Sequence, residues 1–279
     1  MNIIAGPFRH ARTGVVVDRG YRGGYKKVWG QIDVAPNAYS TLRFGRLVIH
    51  VKRVNDEWRF AHTYEEENAE PSDQAPHDED WIRLISSSDE TLELQPALPD
   101  RPLVIRPDAP VSIFPGRFAR FYVELPLWYR FAAVTKQKRI NVIEIPSRIL
   151  SNTWFGDPAS GDLCYSLDAP LRRGSEQLSE PDTTASCSLV VRNDSEEKLD
   201  FERICVHVEN LSIFEYDEHL WTNELSVLFK GVEQISQISI KDKPPGGLSP
   251  AKKITTPREV PNNSILRRSF IFFRQITGI

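Results

Sequence analysis

The chain has 279 residues, of which 40% are hydrophobic and 26% are charged, and its formal net charge is −3. This length predicts about two domains, and the composition is that of a globular protein with buried cores. The near balance of charge excludes a general attraction to nucleic acid or to anionic membranes, so any such binding would need a local patch. No stretch approaches the run of about 18 apolar residues that a membrane-spanning helix needs.

The N-terminal stretch 8–27, FRHARTGVVVDRGYRGGYKK, interleaves basic and aromatic residues. Binders of single-stranded nucleic acid combine these residue types. A flexible, glycine-containing approach to the first strand explains the same pattern, and the net charge favours this second interpretation. The first residues also lack the apolar core of a signal peptide, so we do not expect secretion.

Residues 46–64 carry the clearest local signal in the sequence. Apolar and polar residues alternate on both sides of Asn55 and Asp56, which tolerate the positive φ of a two-residue turn. The pattern predicts a β-hairpin in which Arg53 pairs with Trp58 and one face belongs to a core. The residues of that face are Leu47, Ile49, Val51, Trp58, Phe60 and Tyr64.

The stretch 121–131, FYVELPLWYRF, is the densest apolar run of the chain. Alternation from Ala119 to Leu125 predicts a half-buried strand. Pro126 has no N–H to donate to a neighbouring strand, so we expect a bend or a switch between sheets there, and a second strand over 127–134. The residues expected to be largely buried are Phe121, Val123, Trp128 and Phe131.

The second half of the chain has regularly spaced apolar runs. They are SCSLVVRN, DFERICVHV, LSIFEY, LWTNELSVLF and QISQISI, and short polar turns separate them. Such spacing is typical of an antiparallel sandwich, and VVRNDSEEKLDF resembles a strand–turn–strand corner of immunoglobulin-like domains. We therefore predict a mainly β fold with two β-sandwich-like domains, 1–138 and 139–241, the second immunoglobulin-like.

The last 38 residues predict two further segments. Residues 242–263 are rich in proline and include Gly246-Gly247, which indicates a linker. Residues 264–279, SILRRSFIFFRQITGI, place apolar residues at helical spacing beside arginines, which predicts a short amphipathic helix. The candidate interaction residues of this helix are Leu266, Arg267, Arg268, Phe270, Phe273, Arg274 and Ile276.

Three partners for the 264–279 segment remain open at this stage. Its apolar stripe would favour aggregation if it stayed bare, so something has to cover it. The stripe could fold back onto its own sandwich, lie on an anionic inner-membrane surface, or enter a groove of a partner protein.

The sequence offers no recognisable catalytic, cofactor or metal motif. A GxSxG elbow, a phosphate-binding loop, a GxGxxG turn and HExxH are all absent, and the six histidines show no ligand spacing. Three cysteines without a CxxC pair predict buried, reduced thiols, with a Cys187–Cys205 bridge as the alternative. We therefore assign no catalytic residue, no cofactor and no metal ligand.

Four segments, in this order, resemble a prokaryotic family catalogued as domain of unknown function 432. They are PALPDRPLVIRP, FPGRFARFYVELPLWYRF, NTWFGDPASGDLCYSL and VVRNDSEEKLDFERICVHVENLSIFEYDEHLWTNELSV. The resemblance covers about residues 25–279 and includes a C-terminal arm like RRSFIFFRQITG. It brings no established activity. Members of the family can be encoded near mechanosensitive channels of the small-conductance type, so the resemblance implies a channel-linked or membrane-linked role.

Together these observations favour a non-enzymatic interaction or regulatory module. We expect it in the cytoplasm, at the periphery of the inner membrane if the 264–279 segment lies on lipid. Its expected partner is a protein or the inner-membrane surface, and nucleic acid is not expected. A carbohydrate- or small-ligand-binding sandwich and an enzyme of unrecognised type are the alternatives.

Overall fold

The structure is a computed structural model that describes residues 29–34, 39–66, 76–86, 90–175, 182–231, 236–248, 250–260, 265–266 and 270–272. These residues form 22 β-strands and two short 3-10 turns, at Asp78–Asp80 and Val208–Asn210, which confirms the mainly β prediction. Within this part of the chain, no helix is long and apolar enough to cross a bilayer.

The strands follow one another closely along the chain. The first eleven are β1 Gly30–Ile32, β2 Tyr39–Phe44, β3 Leu47–Val54, β4 Glu57–Tyr64, β5 Ile82–Ile85, β6 Thr91–Ala97, β7 Leu103–Arg106, β8 Val111–Ile113, β9 Phe118–Pro126, β10 Trp128–Val134 and β11 Arg139–Pro146. The others are β12 Asn152–Phe155, β13 Asp162–Asp168, β14 Thr184–Asn193, β15 Leu199–Val206, β16 Ile213–Tyr216, β17 His219–Thr222, β18 Leu225–Phe229, β19 Gln237–Ile240, β20 Lys252–Thr255, β21 Ile265–Leu266 and β22 Phe270–Phe272.

The chain forms two compact units that are not consecutive in sequence. The first comprises the described parts of Met1–Leu94 and Phe131–Val142, and the second those of Gln95–Arg130 and Ile143–Ile279. The boundary predicted from the sequence lies at residue 138 instead. The difference arises because β9 pairs along its whole length with β14, which draws this earlier segment into the second unit.

The first unit contains the predicted hairpin. Strands β3 and β4 pair in the expected register, with Arg53 opposite Trp58, and Asn55 adopts the expected positive φ of 51°. They lie in the middle of an antiparallel sheet of order β2-β3-β4-β5. The predicted core face is buried except at Tyr64, which is half-buried, and Phe60 meets Phe131 edge to face at 5.0 Å between ring centroids.

The switch predicted at Pro126 is present. Strand β9 belongs to an eight-stranded sheet, whereas β10 belongs to a four-stranded sheet of order β1-β6-β10-β11. Phe121, Val123 and Phe131 are buried as predicted, while Trp128 is only half-buried. The proline thus ends one ladder and allows the chain to enter another.

The eight-stranded sheet of the second unit is built around β14. Its strand order is β20-β16-β17-β14-β18-β19-β21, with β9 also paired to β14. The β9 pairing is antiparallel, but β17 and β18 both run parallel to β14. These parallel pairs depart from the purely antiparallel sandwich expected from the strand spacing, and the likeness to immunoglobulin domains stays a prediction.

A two-residue interruption separates β17 from β18, and a side chain bridges it. Asn223 is buried, its Oδ1 accepts a hydrogen bond from the Ser212 N–H at 2.6 Å, and its Nδ2 donates to the Lys241 carbonyl at 2.7 Å. The side-chain amide therefore replaces the backbone partners that the interruption removes from the ends of β16 and β19.

The second sheet of this unit has six strands in the order β12-β13-β7-β15-β22, with β8 also paired to β15. Strands β13 and β7 are parallel. Because β12 pairs only with β13 among the described residues, it forms one edge of this sheet.

The C-terminal segment differs from the predicted helix. Ile265–Leu266 pairs with β19, and Phe270–Phe272 pairs with β15, so its described residues extend both sheets of the second unit. The helix prediction is wrong for these residues. The run Phe270-Ile271-Phe272 combines aromatic and β-branched residues, which suit a strand as well as a helical stripe.

The predicted linker, 242–263, is also partly strand. Residues Lys252–Thr255 pair with β16, and the Thr255 hydroxyl donates to the Pro96 carbonyl at 2.7 Å. This run lies between Pro250 and Pro257 and contains β-branched residues, so it can form a short edge strand despite the surrounding prolines.

Candidate functional site

The structure assigns only part of the predicted interaction segment. Leu266 ends β21 and Phe270 begins β22, both paired within the second unit. Arg267, Arg268, Phe273, Arg274 and Ile276 lie outside the described residues. The described part therefore follows the intramolecular alternative, and an interaction role for the segment as a whole stays a prediction.

A buried cysteine, histidine and carboxylate form the arrangement closest to a catalytic one. Cys205 Sγ lies 3.9 Å from His207 Nε2, and His207 Nδ1 lies 2.9 Å from Glu209 Oε1. A catalytic cysteine contacts its base, and the base contacts a carboxylate, in the same way. Such a cysteine also requires access to substrate and a lowered thiol pKa. All three side chains are buried, and the pKa of Cys205 is raised, first by its contact with the Cys164 thiol and then by burial. We therefore interpret the cluster as part of the core.

All three cysteines are free and buried, as expected. Cys187 lies in β14 of the eight-stranded sheet, whereas Cys205 lies in β15 of the six-stranded sheet and has Cys164 as its thiol neighbour. The alternative Cys187–Cys205 bridge therefore does not fit this arrangement. Burial raises the pKa of Cys187 to about 11, so this thiol stays protonated at neutral pH.

Metal-binding geometry is not found in the part of the chain that the structure describes. No group of three or more histidine, cysteine, aspartate or glutamate side chains there is placed to hold an ion.

A network of ion pairs fixes the chain that follows β20. Arg258 donates to both carboxylate oxygens of Glu144, and Arg130 Nε donates to Glu144 Oε1 at 2.6 Å. Arg258 Nε also donates to the Leu98 carbonyl at 2.8 Å, and its guanidinium lies 5.6 Å from the Trp128 ring centroid. The network therefore ties segments that are distant in sequence to one carboxylate.

The Glu144 network predicts a pH-dependent contribution to stability. Burial alone would raise the pKa of Glu144, but the hydrogen bonds from Arg258 and Arg130 outweigh it and hold the pKa below its ordinary value of 4.5. A carboxylate whose pKa is lower in the folded state stabilises fully above its unfolded pKa and loses that contribution as the pH falls. Glu144→Gln is expected to lower the free energy of unfolding by about 2 kcal/mol at neutral pH and to reduce the acid dependence.

Chemical denaturation between about pH 3 and about pH 7 measures this effect. Glu93→Gln is the matched control, because Glu93 pairs with Arg139 in a more exposed position. It should cost less than about 1 kcal/mol. Equal losses for the two variants at neutral pH would contradict the role given to Glu144.

The hairpin of β12 and β13 forms an edge of the six-stranded sheet of the second unit. Its turn, 156–161, is pinned by Asp157, whose carbonyl accepts the Gly161 N–H at 2.7 Å and the Trp154 Nε1–H at 3.0 Å. A Cβ at Gly161 would lie 2.5 Å from the Phe155 carbonyl oxygen and 2.6 Å from Trp154 Nε1. The close approach that only glycine permits therefore holds the indole in place.

Large apolar side chains project from this hairpin into solvent. Trp154 and Leu163 lie directly opposite each other in the β12–β13 register, and they are 47% and 46% exposed. Ile149, just before β12, is 77% exposed. We call these three residues the hairpin patch. Because residues opposite each other in a ladder share a face, Trp154 and Leu163 form one continuous apolar surface.

A polar cleft lies beside the hairpin patch. It is open, has a volume of about 500 Å³, and includes Ile149 in its lining. Its other lining residues are Arg106, Arg148, Leu150, Ser151, Asn152, Thr153, Ser166, Leu167 and Asp168. Two arginines against one aspartate give the lining a net positive charge, and Arg106 is only loosely paired with Asp168, at 4.0 Å.

Tyr165 supports the hairpin from the side of β7. Its hydroxyl donates to Asp100 at 3.0 Å, its ring lies 5.9 Å from the Trp128 ring, and Arg101 lies 5.2 Å from its centroid. Arg101 also donates to Asn152 Oδ1 at 3.0 Å. These contacts fix the start of β12, so the cleft wall and the patch are held by a common scaffold.

Sequence reasoning missed the hairpin patch. The stretch NTWFGDPASGDL places a tryptophan beside two glycines and two aspartates, a composition typical of a turn. A large aromatic residue within a tight glycine turn was the available signal. The pairing of Trp154 with Leu163, and thus the continuous patch, depends on the register and could not be read from composition.

Residues 28–274 match the family model described as a protein of unknown function, DUF432. The chain belongs to the DUF432 family. The match includes every strand from β1 to β22 and confirms the resemblance noted in the sequence. No curated protein and no solved structure matches this DUF432 chain.

Proposed function

We propose that this DUF432 protein is a non-enzymatic interaction module that docks on a protein partner through the hairpin patch. The observation that carries the proposal is the exposure of Trp154 and Leu163 on a fixed turn. Tryptophan is enriched among residues that dominate binding energy, and an anchor already held in place loses little conformational entropy on binding.

Several features support binding rather than catalysis at this unit. The Cys205, His207 and Glu209 cluster is buried and its thiol pKa is raised. The cleft beside the patch contains arginines, hydroxyl groups and one exposed aspartate. Such a lining suits recognition of a polar or charged group next to an apolar anchor.

The thiols support the proposed location, and the family resemblance supports the proposed partner. We propose a cytoplasmic module, since its three cysteines are free and buried. A membrane protein such as a mechanosensitive channel is the first partner to test. Binding of a carbohydrate or another small ligand is the second candidate, because Ser151, Asn152 and Thr153 line the cleft near an exposed indole ring.

The test compares proteins captured from native membranes and from cytosol by wild type and by Trp154→Ala. The proposal expects a partner that wild type retains and that Trp154→Ala retains at least about tenfold less well, which corresponds to about 1.4 kcal/mol. Phe118→Ala is the matched control, since Phe118 is also an exposed aromatic residue of this unit, 67% exposed.

Phe118→Ala should capture the same partner as wild type. Capture that is equal for wild type and both variants would contradict docking through the hairpin patch. A soluble oligosaccharide that displaces the captured protein would favour the ligand-binding candidate. Thermal unfolding of each variant establishes that a lost interaction does not reflect lost folding.

A further inference from the structure

Strand β13 extends further than its partner β12. The two strands pair only from Asp162 to Tyr165, whereas β13 continues to Asp168. On the β12 side the next contact is the hydrogen bond from the Ser166 N–H to the Ser151 carbonyl, 2.8 Å. The described residues place no strand beside the end of β13 on this side, and the cleft occupies that position.

The backbone of Asp168 faces this uncovered side. Successive residues of a strand direct their amides to alternate neighbours. The Tyr165 and Ala169 N–H groups bond to Pro102 and Arg106 on the β7 side, and the Ser166 N–H points to the β12 side. Asp168 therefore directs its backbone N–H and carbonyl into the cleft, where an added strand would meet them.

The side chains of the cleft define which strand would fit. Leu150 and Leu167 supply apolar surface, and Arg106 and Arg148 supply positive charge. Asp168 is the acidic residue of the lining, and its side chain is 81% exposed and loosely paired with Arg106. An arginine so placed can bond a carboxylate with two parallel hydrogen bonds.

We infer that the cleft binds an extended acidic segment of the partner protein, which adds to the free edge of β13 and sets a carboxylate against Arg106 and Arg148. This inference rests on the proposed function, and it specifies the chemistry of the partner. Main-chain hydrogen bonds give such an added strand its affinity, and alternate side chains give it specificity. The hairpin patch would contact the apolar side chains next to the acidic segment.

Fluorescence anisotropy with synthetic peptides tests the inference on the full chain. The probe is a fluorescein-labelled peptide of about eight alternating valine and glutamate residues, long enough for one strand. Its charge-reversed counterpart carries lysine in place of glutamate. Wild type should bind the glutamate peptide saturably and the lysine peptide at least about tenfold more weakly.

Arg106→Glu should weaken binding of the glutamate peptide at least about tenfold and strengthen binding of the lysine peptide. Arg192→Glu is the matched control, because Arg192 is an exposed arginine of the same unit that also lies 4.0 Å from an aspartate, Asp194. It should leave both affinities within about twofold. A glutamate peptide methylated on alternate backbone nitrogens should lose binding, since it cannot pair with a strand edge.

Three results would overturn the inference. They are no saturable binding of the glutamate peptide to wild type, equal effects of Arg106→Glu and Arg192→Glu, and full binding of the methylated peptide. If wild type does not bind the glutamate peptide while Trp154→Ala still abolishes partner capture, docking through the hairpin patch stands and the inference of an acidic segment is wrong. If Arg106→Glu acts as expected while Trp154→Ala has no effect, the cleft stands and the hairpin patch is wrong.

Discussion

Replacing Phe121 by alanine is expected to lower the free energy of unfolding by about 3 to 5 kcal/mol. Phe121 is only 5% exposed and lies in the middle of β9, opposite Leu189 of the central strand β14. The Arg173 guanidinium lies 5.1 Å from its ring centroid. Truncation removes a large apolar surface and leaves a cavity that the long β9–β14 ladder cannot readily close.

Urea denaturation followed by circular dichroism measures this loss. Phe118→Ala is the control within the same strand, since its ring is mostly exposed, and it should cost less than about 1 kcal/mol. A Phe121→Ala protein with unchanged stability that had lost a binding activity would instead identify the 121–131 stretch as a recognition surface.

Replacing Asn223 by alanine is expected to cost about 2 to 4 kcal/mol, because the buried Ser212 N–H left without a partner costs about 1 to 3 kcal/mol and the part-buried bond to the Lys241 carbonyl contributes about 1 kcal/mol. The Ser212 N–H and the Lys241 carbonyl both lose their hydrogen bond to this side chain. Asn223→Asp keeps the acceptor, loses the donor and buries a charge, so it should also destabilise the protein.

Asn152→Ala is the control for this second measurement. Asn152 is exposed, and its side chain accepts a hydrogen bond from Arg101 at 3.0 Å. Its loss should cost less than about 1 kcal/mol, because water replaces the partner. Similar unfolding midpoints for Asn223→Ala and Asn152→Ala would show that the interruption between β17 and β18 does not depend on the buried amide.

The sequence pattern predicted the elements that are determined by their own residues. The β3–β4 hairpin needs only alternation on two runs and the turn residue Asn55, and its register is as predicted. Pro126 is similar, since it has no N–H to donate to a neighbouring strand and β9 ends at this residue. In both cases the decisive residues lie within the element that they determine.

The C-terminal segment shows where such reasoning fails. Phe270 and its neighbours satisfy a helical stripe and a strand equally well, and the choice depends on the edges of β15 and β19 that they meet. Those edges come from segments far away in the sequence. A short apolar run takes its conformation from its partners more than from its own composition.

Contacts between residues far apart in the sequence were missed for a related reason. Arg258 and Glu144 are 114 positions apart, and no spacing rule reveals such a pair. Trp154 was visible as a residue, but its exposure depends on the position of β12 at a sheet edge. The sequence therefore favoured the 264–279 segment as the interaction surface and did not indicate the β12–β13 hairpin.

Photocrosslinking from position 154 tests the docking surface most directly. A benzophenone amino acid replaces Trp154 in one protein and Phe118 in another, and both are irradiated in cells that contain the native partners. Docking through the hairpin patch predicts a covalent adduct with one protein from position 154, absent from position 118 and suppressed by Leu163→Asp. Adducts that form only from position 118, or equally from both positions, would contradict it.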